Sequence, residues 1–200
     1  MSVRPSAWAA VLADAKLAWS GANWLRWPLV ALSLAGAFAP TPAAGFLGVG
    51  FLLVLGLVIS EAPARESLAG AGPLVFSQPS VPASPTLWKF ASLAVFSFVL
   101  GAPLVVRSLT FGPARGVAFV TGLIALAGFA AALGLLSGGG KLFSVLLLAL
   151  FYGLLNGAPV LDLCGVMGGA LSPLARLSYL GAAVFFVALS VARERRIFAR

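Results

Sequence analysis

Residues 151–165, FYGLLNGAPVLDLCG, set an amide and a carboxylate into an apolar run: Asn156 closes the first half, Gly157 and Pro159 break it, and Asp162 follows the second. A carboxylate in such surroundings is costly, which makes Asp162 a candidate for contact with whatever moves past it. The same pair suits a plainer role, with Asn156 closing one helix and Asp162 capping the next. Both readings stand on sequence alone. A second group, Arg65 and Glu66, opens ARESLAGAGPLVFSQP, where the charges precede Gly70 to Pro73 and then the apolar Leu74, Val75 and Phe76. A short helix with exposed charges and one apolar edge suits docking into a groove on a soluble partner. Glycine and proline in its middle oppose a long helix, so a loop is the other reading.

Other chemistry is excluded. GGGKL at 138–142 approaches a phosphate-binding loop but fails its spacing twice, with Leu135 where the first glycine belongs and Leu142 after the lysine. The chain has no histidine and a single cysteine, Cys164, which rules out histidine triads, internal disulfides and cysteine-rich metal sites. The few acidic residues are scattered, and the serines and Lys141 show no pairing that would activate a nucleophile.

The elements that must position these groups are membrane elements. The chain of 200 residues is 61% hydrophobic and 9% charged, with mean hydropathy +1.07, against roughly 45–50% and 25% for a soluble domain. We therefore expect one all-α, polytopic transmembrane domain over 1–200, its length counted in spans of about 20 residues. The formal charge of +8 comes from basic residues between apolar runs and at the C-terminus, a topology signal and not one for nucleic acid. The N-terminus lacks a secretory pattern, so Met1 is expected to start the mature chain.

Along the chain, Trp8, Val11, Leu12, Ala15 and Trp19 share one helical face, from which Asp14 and Lys16 fall away. This predicts an interfacial helix within 1–22; the start of the first span is the alternative. Spans follow near 25–38, 44–60, 88–106, 117–136 and 177–192, with a fifth apolar run at 142–155 too short to cross alone at about 21 Å. Pro103 is expected to kink the third span near its end, and RSLTFGPARG to form a turn. The fourth, GLIALAGFAAALG, has small residues spaced for close helix approach. Residues 61–88 hold five prolines and three charges and are too polar and broken to cross lipid. Residues 156–173 read as an outer re-entrant element, whose Asn156 and Asp162 should face other helices.

Six spans with a cytoplasmic N-terminus put ten basic residues inside (Arg4, Lys16, Arg26, Arg65, Lys89, Lys141, Arg193, Arg195, Arg196 and Arg200) and three outside, Arg107, Arg115 and Arg176. That asymmetry predicts both termini in the cytoplasm. Arg107 and Arg115 on the outer side are the weak point of that count, and lipid phosphates or a partner chain are the two readings for them.

The order of an interfacial helix, two spans, a segment running from ARE to LVFSQP, three further spans and a broken NGAPVLD resembles the membrane subunit of type-2 ATP-binding cassette exporters. It is most similar to permeases of the multicopper enzyme maturation kind. Arg65, Glu66, Leu74, Phe76, Ser77 and Pro79 match the pattern after the second span of that family, and Tyr152, Asn156, Pro159, Leu161 and Asp162 match the pattern closing its fifth. Gly70 to Pro73 depart from the family's Gly-Thr-Glu run. The resemblance implies a permease subunit in the bacterial inner membrane, pairing with a second copy or a homologous permease and with a separate ABC ATPase that carries the ATP and Mg; no cofactor is expected on this chain. It further implies that Arg65, Glu66, Leu74 and Phe76 couple to the ATPase, and that Tyr152, Asn156, Pro159 and Asp162 line or gate the path. A non-transporting membrane scaffold or accessory subunit is the alternative.

Overall fold

Local sequence punctuates the chain into helices. Proline at the first or second position, where its missing N–H costs nothing, opens three of the longest: α3 (Thr41–Ser60), α5 (Pro85–Thr110) and α6 (Pro113–Ser137). Ser84 caps α5 by accepting from the Leu87 N–H. Gly138, in the left-handed region at φ 67°, ends α6. The remaining helices are α1 (Ala7–Gly21), α2 (Arg26–Phe38), the one-turn α4 (Arg65–Leu68), α7 (Lys141–Leu155) and α8 (Pro173–Phe198). The computed structural model describes residues 7–70, 84–167 and 173–198, and no strand occurs among them.

Four helical stretches are long and apolar enough to cross a membrane: Ala43–Ala64, Pro85–Thr110, Pro113–Ser137 and Pro173–Glu194. The other two expected spans fall short of the roughly 30 Å hydrocarbon core. α2 has 13 residues and α7 has 15, or about 20 and 22 Å at 1.5 Å per residue. Pro103 does not end its helix, and α5 continues to Thr110. The expected turn RSLTFGPARG therefore shrinks to Phe111 and Gly112, because Pro113 can open a helix as readily as proline can interrupt one.

The core is centred on α6. In its most apolar window 72% of residues are buried, against 11% for α8, so α6 is the central post and α8 lies at the periphery. Leu123, Leu126, Ala127 and Ala130 of α6 pack with Phe51, Leu55 and Ile59 of α3, Leu93 of α5, and Phe143 and Leu147 of α7. Val99, Val145, Val184 and Phe185 are exposed on the outside. Helices apolar on both faces are what a lipid-facing bundle requires. The close approach expected of α6 is realised toward three neighbours, with Gly122 against Cys164, Gly128 against Ala183 of α8, and Gly134 against Pro63.

These contacts define two ends. At the first, Gly134 meets Pro63, Gly140 meets Ser60, and the Arg193 guanidinium donates to the Leu136 carbonyl. At the second, Arg107 donates to the carbonyls of Ala37 and Ala39, Val166 packs on Gly48, and Gly165 lies beside Ala118.

Candidate functional site

The first end holds a buried ionic cluster that joins α1, α4 and α5. Lys89, in the second turn of α5, is fully buried. Its Nζ donates to Asp14 Oδ1 at 2.8 Å and to Glu66 Oε1 at 2.6 Å. Ser92, one turn along the same face of α5, donates to Asp14 Oδ2 at 2.5 Å, and the Trp88 ring lies 4.7 Å from the ammonium. Two carboxylates share one ammonium, so removing the cation leaves two buried charges unpaired. Glu66 Oε2 and Trp88 Nε1 are buried without a hydrogen-bond partner.

A second polar clasp lies beside it. Glu194 of α8 accepts from the Thr86 N–H at 2.8 Å, from Ser84 Oγ at 3.0 Å and from the Thr86 hydroxyl, which also meets Ser190 Oγ at 2.8 Å. A carboxylate over the first turn of α5 satisfies N–H groups that have no partner within the helix and meets the positive end of its dipole. Sequence reasoning passed over Lys89, Asp14 and Glu194. A legible signal existed, since each is an ionisable group at the edge of an apolar run.

The burial of Asp14 corrects the expected face of α1. The buried positions are Val11, Asp14, Ala18 and Ala22, while Trp8 and Leu12 are exposed. Apolarity alone chose a face rotated from the true one, because Asp14 finds partners in Lys89 and Ser92 where α1 packs on α5. Arg65 and Glu66 do not pair with each other as neighbours: Glu66 turns inward to Lys89, and the Arg65 guanidinium lies beside Gly21. The charges expected to stand exposed are thus partly buried. Leu74 and Phe76, the apolar edge expected to dock, lie outside the described residues.

At the second end, the broken stretch after α7 tucks into the bundle. Cys164 and the Leu163 carbonyl lie so close to Gly122 that a Cβ there would stand 2.3 Å from the sulfur and 2.7 Å from the oxygen. Gly122 sits about two and a half turns in from Pro113, so the segment reaches roughly 13 Å along α6. Asp162 is buried, and its two oxygens accept from the N–H groups of Val166 and Met167, each at 2.9 Å. Burial raises its carboxyl from its ordinary value, and those backbone donors pull it partly back. No helix follows within 163–167, so Asp162 closes a turn instead of capping a helix. Asn156 does cap α7, donating to the Tyr152 carbonyl at 2.7 Å, and its side chain is exposed. Tyr152 and Pro159 are also exposed. Of the four residues assigned to the path, three are thus exposed and Asp162 is buried.

Among the described residues, no group of three or more His, Cys, Asp or Glu side chains could hold a metal. No family model, curated protein or solved structure matches the chain.

Proposed function

We propose that the chain is a permease subunit of an ATP-driven exporter in the bacterial inner membrane. In this reading it crosses six times, the short α2 and α7 spanning where the bilayer thins around them, has both termini in the cytoplasm, and pairs with a second permease and with separate ATPase subunits that hold ATP and Mg. The observation that carries this reading is the Asp14–Lys89–Glu66 cluster. The segment that leaves α3 is tied by Glu66 to the base of α5 and through Lys89 to α1, so a push on that segment from a soluble partner is transmitted to two membrane elements instead of being lost in a loop. The basic asymmetry of the chain supports the orientation. The short α7, with the tucked 159–167 stretch behind it, supports an excursion from the outer side that returns before α8. Alternating access then follows as a tilt of the helices, with the passage between two permeases.

Purification in mild detergent, mass spectrometry of the partners and an ATPase assay on the complex test this. The expected result is a co-purifying nucleotide hydrolase whose activity responds to the permease. In E66Q, which keeps the size of the side chain but weakens the tie to Lys89, the complex is recovered while that response is reduced. Recovery of a membrane complex without a hydrolase would replace this reading with the scaffold one.

A further inference from the structure

The second end carries positive charge that the chain does not neutralise. Arg107 and Arg115 line a cavity of about 360 Å³ between α2, α3, α5 and α6, together with Thr41, Ser108, Phe46 and Phe111. Both guanidinium groups gather on one ring, with their central carbons 5.1 and 5.5 Å from the centroid of Phe111. Like charges brought to one aromatic ring call for a counter-ion, yet each of the five acidic residues of the chain is engaged or placed elsewhere. Asp14 and Glu66 hold Lys89, Glu194 holds the start of α5, Glu61 stands at the first end beside Gly140, and Asp162 is closed by its own backbone donors.

Arg107 has one structural task already, donating through both terminal nitrogens to the carbonyls at the end of α2, but its Nε is buried without a partner. Arg115 is exposed and, among the described residues, makes no ion pair. The hydroxyls of Ser108 and Thr41 line the same space, and α3 begins there with the positive end of its dipole. The exposed Phe46 on the cavity wall and the neighbouring exposed Val106 and Leu109 surround this basic hollow with apolar surface.

We infer that this cavity binds the phosphate of an anionic ligand, supplied either by a phospholipid headgroup or by a soluble phosphate. Guanidinium groups and hydroxyls match phosphate oxygens in geometry and charge, and the volume lies within the range of small-molecule sites. The inference goes beyond the transport reading and does not rest on it, since it needs only the purified chain.

The test uses the full chain in nanodiscs of mixed phosphatidylglycerol and phosphatidylcholine, with retained lipid measured by native mass spectrometry. A parallel thermal-shift titration compares inorganic phosphate with chloride at matched ionic strength. Selective retention of phosphatidylglycerol identifies a lipid as the source, and stabilisation by phosphate over chloride identifies a soluble one. In either case R115Q, on an exposed side chain, weakens the effect about ten-fold, as expected for loss of a charge-assisted bond. R107K keeps the charge but loses the fork, and weakens it as well. K141Q, which removes an exposed charge from the opposite end, leaves it unchanged. Equal loss in K141Q, full retention in both arginine variants, or indifference of the wild-type chain to both probes overturns the inference.

Discussion

The two ends of the bundle handle charge in opposite ways. At the first, Lys89 lies between Asp14 and Glu66, and Glu194 covers the start of α5. Lys89, Asp14, Glu66 and Glu194 each have a partner from another element. At the second, Arg107 and Arg115 meet backbone carbonyls and an aromatic ring but no carboxylate, and the one acid nearby, Asp162, is satisfied locally. The first end is a knot whose parts hold one another, whereas the second leaves donors and space for something from outside. A buried ion pair is weak evidence for stability but strong evidence of interdependence, because loss of one member strands the others. An uncompensated basic cavity says little about folding and more about what it can bind.

Breaking the knot should have the largest effect. K89M strands two carboxylates and is expected to lower stability by about 3–5 kcal/mol, seen as a large shift in the unfolding midpoint in SDS–detergent mixtures. Replacing all three members, as in D14L/E66L/K89M, should recover most of that loss; a triple variant as unstable as K89M would show that the cluster is not a self-contained unit. Next comes G122A at the second end. Its methyl collides with Cys164 and with the Leu163 carbonyl, and the forced repacking should cost about 1–3 kcal/mol. The same variant should make a cysteine placed at position 160 in a Cys164→Ser background react faster with an impermeant thiol reagent, and an unchanged rate would mean that the segment does not depend on this contact.

Smaller effects sharpen the contrast. E194Q weakens charge-assisted bonds to the first turn of α5, with an expected cost of about 1.5 kcal/mol. Hydrogen exchange should report it as faster exchange confined to the start of α5 and the end of α8. N156A removes only an exposed cap on α7 and should shift the thermal midpoint by the equivalent of about 0.5 kcal/mol, without altering function. A large functional loss with normal stability would favour Asn156 as a path residue and break the view of this end as structurally local.

Much of the helical pattern was legible along the chain, for a local reason. Gly138 past a helix end and apolar runs long enough for lipid are set within a few residues of each other, whereas Pro85 and Pro113, read within a broken segment and a turn, open helices instead. The shortness of α7 was likewise plain, and a cap at Asn156 was one of two readings the sequence left open. What failed were statements that depend on a distant partner. The buried face of α1 was misjudged because Asp14 finds Lys89 only when α1 packs on α5, 75 positions further along. Glu66 was expected to face a soluble partner but points into the bundle for the same reason. Among the residues assigned to the path, Tyr152, Asn156 and Pro159 lie exposed while Asp162 is buried, a division that no local pattern announces.

The sequence by itself determined an all-helical, strongly apolar chain with its breaks at proline and glycine, because those preferences act over a few residues and a helix satisfies its own backbone within lipid. Only the tertiary structure decided which charges pair, that a loop could lie as deep as Gly122, and that Arg107 and Arg115 would meet over one ring with no acid beside them. Each of these depends on which helices become neighbours, a choice made by packing between faces far apart in the chain and invisible to any local period.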